Sequence, residues 1–393
     1  MGKTHRNKNK DKDPYIGPAN TGRRDSDSDE STTSSAYTYD EDVESIMGGV
    51  EDIDDLYDQL VENLDRAQEK NAKVRLEGLH RVILALTTKA VPDRMENKTD
   101  GEATMLAKLV GLVAVHSGED ISDLLAGPIA QMRTILMDAS RDVSLRDDCA
   151  LSLAILTRIS CDEDQEVTEN VKACRFAWTN TKASSNSAKL ISTSLASWCI
   201  MLLDADLSTI NSAILDQPKI VVLLGSDQLE VRLAAAEALA FLHEFMQDSR
   251  AGFRFPNREH VLNLLDGMVA DSSKKKTKKD KRAQRYAIRD IRSFIADEDD
   301  APEVSVKIGH QTLSLDSCGI KIFYDLCCDL LHGGLAQHLK SNEVLREIFD
   351  LGPVPLEGAE QLSKATRLAI HDAADKQRKQ VRGKQRDKRS VVY

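Results

Sequence analysis

The sequence has 393 residues, with 53 Lys and Arg against 64 Asp and Glu and a formal net charge of −11. Charged residues make up 30 % and aromatics only 4 %, which favours helices over a β-sandwich in a chain long enough to bury a large core. Spread evenly, that charge would argue against a nucleic-acid partner.

It is not spread evenly. Residues 1–24 carry +5, residues 25–65 carry −15 with no Lys or Arg, residues 274–292 carry +8, and residues 376–389 carry +7. The remainder carries −16. Two cationic blocks in the C-terminal third of an acidic chain point to polyanion contact more strongly than the overall charge points away from it. The seven cysteines include no CxxC pair, and with no secretory segment they read as reduced intracellular thiols. Apolar runs are too short for a membrane span, so no membrane partner is expected. Arg6 stands where a myristoylation signal needs Ser or Thr.

In chain order, residues 1–45 are polar and acidic and read as a disordered tail. A helical pattern begins with Ile53, Leu56, Tyr57, Leu60 and Leu64 at three- to four-residue spacing. Val74-Arg75-Leu76 and Val231-Arg232-Leu233 open similar helices 157 residues apart, about four units of roughly 39. Ala150, Leu153, Ala154 and Leu156 stand at the same offsets from Arg146 as Ala236, Leu239, Ala240 and Leu242 do from Arg232. Small residues at fixed helical offsets let helices stack closely, which predicts an armadillo/HEAT-like helical solenoid over 46–270. Loops are expected at Val91–Gly101, Gly118–Asp120 and Ser184–Ser187, and a further helix over Asn257–Val269.

A second region, 271–355, opens with a basic helix that Asp297–Asp300 and Pro302 should stop. Val304, Val306 and Ile308, then Leu313 and Leu315, alternate with polar residues around Gly309 and predict a β-hairpin. One helix is expected over Ile320–Leu331. Another should start at Asn342, with Ser341 as its N-cap and Gly352 as its stop. Residues 356–393 read as a long polar helix that becomes a basic tail. The fold class expected is therefore mainly α: a repeat solenoid, a small C-terminal region of helices and a hairpin, and a basic C-terminal helix.

The first basic block contains Lys274, Lys275, Lys276, Lys278, Lys279, Lys281 and Arg282, then Arg285, Arg289 and Arg292 on one helix face. Tyr286 is its only aromatic, so phosphate tracking is expected rather than base stacking. An import signal in KKKTKKDKR and a solvated linker helix are the other readings of the block. The tail offers the same chemistry through Lys376, Arg378, Lys379, Arg382, Lys384, Arg386, Lys388 and Arg389. As a full helix of about 34 residues it would span roughly 50 Å, enough to enter a negatively charged channel. Cys327, Cys328, His332 and His338 fit no zinc spacing, and the cysteines read as small core residues. His80, His116 and His243 lie in or near apolar helices. No nucleophile, zinc-protease or phosphate-loop motif is present, so neither catalysis nor a metal, cofactor or small-molecule substrate is expected.

Three stretches carry a resemblance to a known family. Asp271–Ile291 (DSSKKKTKKDKRAQRYAIRDI), Gln337–Pro355 (QHLKSNEVLREIFDLGPVP) and Arg386–Arg389 (RDKR) resemble the C-terminal half of the interferon-related developmental regulator family. The resemblance covers about residues 45–393, and the order of segments is also the family's. Its most specific part is the box Ser341, Asn342, Glu343, Leu345, Arg346, Phe349, Leu351, Gly352 and Pro353. The tail departs from the pattern in being richer in Lys, Arg and Gln, and Gly383 interrupts it. The resemblance implies a non-enzymatic regulator of gene expression. Binding to translationally silent ribosomes and transcriptional co-regulation are the two implied roles. The partners expected are ribosomal RNA for the basic segments and proteins for the solenoid, in the cytoplasm and, for the second role, the nucleus.

Overall fold

A computed structural model describes residues 100–354 apart from 119–121, 162, 251, 271–277 and 310, together with seven positions between 62 and 82. At 102, 122–124 and 278–286 it describes the backbone only. The expected 1–45 tail, the helix from Ile53, the Val74 helix and the segment beyond residue 354 lie wholly or mostly outside these residues.

The chain forms α1 (Asp100–Ser117), α2 (Ser122–Met137), α3 (Val143–Ser160), α4 (Asp164–Asn180) and α5 (Ala188–Met201). It continues through α6 (Leu207–Ile214), α7 (Gln217–Leu223), α8 (Leu229–Ser249), α9 (Arg258–Ala270) and α10 (Lys278–Ile295). Helices α1, α3, α5, α8 and α10 pack in that order as an inner layer, with α2, α4, α7 and α9 packed outside them. This is the helical solenoid that the alanine and leucine register predicts. All eight register residues of α3 and α8 are buried.

The repeat length differs from expectation. Among the described residues, the first four inner helices begin at intervals of 43, 45 and 41 residues, not 39. Side-chain bonds between successive units recur at the same interval. Arg141 Nε donates to Asp100 at 3.0 Å, Arg158 to Asp204 at 2.6 Å, and Gln217 to Asn257 at 2.9 Å. Arg175 pairs with Asp216 in the same way. Local caps set the helix starts: Asp142 accepts from Ser144 N and Leu145 N at α3, and Asp206 from Thr209 N at α6. The 184–187 loop is closed by Ser184 and Ser187, whose hydroxyls lie 2.8 Å apart.

After α10 the chain makes the expected hairpin, β1 (Val304–Ile308) with β2 (Gln311–Leu315), antiparallel, with Ile308 opposite Gln311. Gly309 takes φ +57°, the left-handed turn conformation that a two-residue hairpin loop needs. Next comes α11 (Cys318–Leu331), capped by Ser317. This helix lies across α8, α5, α3 and α1, covering the open side of the inner layer. Its start is fixed to α8, where Glu244 accepts from Cys318 N at 2.8 Å and Lys321 pairs with Glu237 at 2.8 Å. Its end reaches α1: a Cβ on Gly111 would lie 3.3 Å from Leu330 and 2.8 Å from Ser152, so glycine is what allows α1, α3 and α11 to meet. A short 3₁₀ turn, His332–Gly334, leads to α12 (Leu335–Ser341) and α13 (Glu343–Ile348). Among the described residues, no helix is long and apolar enough to cross a membrane.

Shielding at the α8–α11 contact pushes the Glu244 carboxyl up to about 7, while the Cys318 N–H opposes the shift. In the folded chain Glu244 therefore holds a proton at pH values where the unfolded chain does not. Its contribution to stability is present at low pH and is lost as pH rises towards 7. As pH rises from about 5 to 8, the variant Glu244→Gln should lose less melting temperature than the unchanged chain. Asp148 and Asp325, both pushed up to about 6 by burial, titrate with the same sign, and His243 and His332 with the opposite sign, in both proteins, so it is the difference between the two curves that reports Glu244. Superimposable pH profiles would contradict this.

Candidate nucleic-acid interface

Helix α10 carries the basic sequence and is held to the body by one face. Ile288, Ile291, Phe294 and Ile295 are buried, and the helix packs on α8 and α9. Five cations, Lys278, Lys279, Lys281, Arg282 and Arg285, fall within its first eight residues. Cations there oppose the helix dipole as well as one another, and a bound polyanion relieves both effects. Lys274, Lys275 and Lys276 lie outside the described residues, as do the side chains from Lys278 to Tyr286. Of the expected Arg285–Arg289–Arg292 track, Arg289 is exposed. Arg292 is engaged, donating to Glu298 at 2.7 Å and to Asp266 at 3.1 Å. Both are exposed pairs worth at most about 1 kcal/mol, so a phosphate could displace them.

The end of α10 is locked by backbone and charge together. Glu298 N bonds to Ser293 O and Asp297 N to Phe294 O, a Schellman arrangement with Asp297 at φ +55° in the position glycine usually holds. Asp297 is there for its carboxylate. It accepts from Arg254 at 2.6 Å and from Gln247 at 3.1 Å, lies 3.4 Å from Arg258, and sits 3.4 Å from the buried His243 ring. Shielding alone would raise its pKa, but Arg254, His243 and Arg258 together hold it below the ordinary carboxylate range. Burial pushes the His243 pKa down, against the pull of Asp297. Phe253, Phe255 and Phe294 surround that ring. Asp297 is read from sequence only as a helix stop. Its partners lie 39 to 54 residues away, and no local pattern signals them.

The box at 341–353 is structural. Asn342, not Ser341, caps α13: its side chain accepts from Leu345 N at 2.9 Å and donates to Val115 O of α1 at 2.9 Å. Ser341 ends α12 and donates to Gln337 O. The Asn342 amide carries its acceptor oxygen and donor nitrogen on separate atoms, so one side chain caps Leu345 N and reaches Val115 O. Glu343 is exposed in the first turn of α13, where its charge suits the dipole. Leu345, Phe349 and Leu351 are buried, with Phe349 against Phe323 and Tyr324 of α11. The stop is Asp350 rather than Gly352. Asp350 takes φ +54°, with Leu351 N bonded to Arg346 O and Asp350 N to Glu347 O, a second Schellman arrangement. Gly352, at φ +71°, turns the chain two residues later.

The two left-handed aspartates predict opposite outcomes. Asp350 is exposed, where a contact of its carboxylate is worth at most about 1 kcal/mol, and Asp350→Gly, which removes a left-handed cost of about 1–2 kcal/mol, should raise stability. Asp297→Gly relieves the same strain but strips Arg254, Arg258 and His243 of their shared carboxylate, so it should lower stability. Urea melts of the two variants that moved in the same direction would refute this account.

Arg346 is the centre of the box and is only 1 % exposed. Nε donates to Gly352 O at 2.9 Å, one terminal nitrogen to Leu339 O at 2.7 Å and Gln311 Oε1 at 3.0 Å, the other to Leu351 O at 2.9 Å and Pro353 O at 3.0 Å. All five donors of the guanidinium are thus used on α12, β2 and the chain after α13. Arg346, Asn342 and the buried Leu345, Phe349 and Leu351 therefore shape the C-terminal region, while Ser341, Glu343, Gly352 and Pro353 are exposed. Cys327 is buried in α11, with its thiol pKa pushed well up by burial, as a core residue would be. The tail cations from Lys376 to Arg389 lie outside the described residues.

Comparison with known proteins covers most of the chain. Residues 25–296 match the sequence model of the family described as interferon-related developmental regulator. Residues 342–390 match that of the interferon-related protein conserved region. Among curated proteins, the chain is 28 % identical to Interferon-related developmental regulator 1 of Sus scrofa, over 86 % of this chain and 82 % of the relative. It is 29 % identical to the Rattus norvegicus protein of that name, with the same coverage. It is 28 % identical to Interferon-related developmental regulator 2 of Mus musculus, over 86 % of this chain and 84 % of the relative.

Proposed function

Because the chain belongs to the interferon-related developmental regulator family, we propose that it is a non-enzymatic regulator of gene expression that binds ribosomes or other structured RNA. Binding through its basic segments would repress translation or mark it as inactive, in the cytoplasm. The observation that supports this reading is the charge partition: two segments of +8 and +7 in a chain of net −11. The first includes α10, a cationic helix anchored to the solenoid by an apolar face and by Asp297. The near absence of aromatics in both segments favours contact with the phosphate backbone over base readout.

Sucrose gradients of cell lysate at graded salt, comparing the full chain with a 356–393 deletion, provide the test. The full chain should travel with ribosomal particles at low salt and leave them as salt rises, and the deletion should leave them sooner. Failure of the full chain to co-sediment at low salt would overturn the reading. The −15 segment is a built-in competitor for the basic blocks in the same reading, so removing residues 25–65 should raise low-salt RNA affinity.

A second reading has an observation of its own. Leu207, Leu215 and Val222 are exposed on and beside α6 and α7, a surface suited to a protein partner. With Lys274–Arg282 as an import signal, the chain would act as a nuclear transcriptional co-regulator and interaction scaffold. Exclusively cytoplasmic location would contradict it.

A further inference from the structure

Helix α11 is tied down differently at its two ends. At its start, Lys321 lies 2.8 Å from Glu237 of α8 and 2.8 Å from Asp325, and Cys318 N donates to Glu244. At its end the pairs are longer. Asp147 and Asp148 of α3, each 5 % exposed, meet Lys189 of α5 and Lys108 of α1 at 3.5 Å. Helix α11 adds a third carboxylate, Asp329, whose charge bears on Asp147. It closes with His332, whose ring feels Lys108, Lys189 and Asp329.

Among the described residues, the cluster therefore sets three carboxylates against two lysines and one histidine. One oxygen of Asp147 and one of Asp148 are buried without a hydrogen-bond partner. A carboxylate so placed is costly, and taking up a proton removes the cost. Burial pushes Asp148 up to about 6, with Asp147 adding to the rise and Lys108 opposing it. Burial likewise raises Asp147 against the pull of Lys189 and Thr193, and Asp329 adds to that rise. The exit from α11 also carries strain. His332 takes φ +47° and ψ −130°, which L-residues rarely adopt, and Gly333 and Gly334 follow it.

We propose that this cluster is a proton-operated latch for the end of α11. With a proton on Asp147 or Asp148 the charges balance, and the helix stays on α1, α3 and α5. As pH rises the proton leaves, three carboxylates face two lysines, and the last turns of α11 lift about His332–Gly334. The sign follows from the shift. A carboxyl raised in the closed state contributes to closure at low pH and loses that contribution as pH rises through about 6. Glu244, at the other end of the helix, acts with the same sign. His332 opposes them. Burial, Lys108 and Lys189 lower it against the pull of Asp329, so it favours closure as pH rises through the ordinary histidine range.

Hydrogen exchange on the full chain tests this. It is read at pH 5 and pH 8 and corrected for the intrinsic pH dependence of exchange, with α4 of the outer layer as internal reference. Amides of α11 should lose protection relative to α4 as pH rises. Asp148→Asn, which fixes the neutral form, should reduce that loss about ten-fold. That is the factor by which one carboxyl moved from about 4 to about 6 changes an equilibrium over this range. Asp147→Asn together with Asp148→Asn should reduce it further, while His332 and Glu244 act alike in every arm. At pH 5 both variants should melt as the unchanged chain does, because its latch is already neutral there, and a variant that unfolds at pH 5 contradicts the proposal. Equal pH dependence in all three chains, or no loss of protection in the unchanged chain, overturns it.

Discussion

Replacing Arg346 by alanine is expected to lower the free energy of unfolding by about 3–5 kcal/mol, because several buried carbonyls lose hydrogen bonds to a charged group worth about 1.5–3 kcal/mol each. The reason is the number of groups it satisfies. Four backbone carbonyls and the Gln311 side chain accept its five donors, and burial leaves water no access to replace them. Leu339 lies near the end of α12, so the guanidinium also neutralises the negative end of that helix dipole. Arg346→Lys keeps the charge but offers three donors from one atom, and should still lose about 2 kcal/mol. Urea unfolding measures both. A loss below about 1 kcal/mol for the alanine variant would mean that the box at 341–353 is retained for something other than its architecture.

The second large effect concerns binding. The 376–389 segment supplies eight cations, and each phosphate it neutralises adds about 0.7 to the salt slope on single-stranded RNA and about 0.9 on a duplex. Replacing all eight by Gln should therefore weaken low-salt binding to ribosomal particles by on the order of 100-fold or more, and flatten its salt dependence. Affinity and slope must fall together, because one cause produces both. A variant that lost affinity with an unchanged slope would show that the segment acts through something other than charge.

The parts of this fold that the sequence makes visible are those set by local pattern. Ala150, Leu153, Ala154 and Leu156 mark α3 as a stacked helix, and the same spacing marks α8. Gly309 between two alternating runs marks the hairpin. What local pattern does not encode is pairing at a distance. The course of α11 across four helices depends on Glu244 and Lys321, whose partners are 74 and 84 residues apart. Ser341 and Asn342 are equally good N-caps by type, and what selects Asn342 is Val115, 227 residues away, brought beside it. Asp297 and Asp350 occupy glycine-like positions, so a search for glycine stops passes over both. The candidate site divides in the same way. Its cations are legible as charge runs, whereas the attachment of α10 through Ile288, Ile291, Phe294 and Asp297 emerges only from packing.

The box carries the same lesson in reverse. Its recognisable sequence invites a functional reading, yet Arg346 faces carbonyls and Asn342 faces α1. The buried residues of the box fix where the chain after Pro353 begins.

We propose that a chain of net charge −11 binds polyanions through its cationic segments. The most direct measurement is the affinity of the full chain for purified ribosomal particles across salt from 50 to 200 mM. The account predicts a linear fall of log K with log salt, losing about 10³-fold or more over that range if six or more phosphates are engaged. Binding that does not change with salt would contradict it.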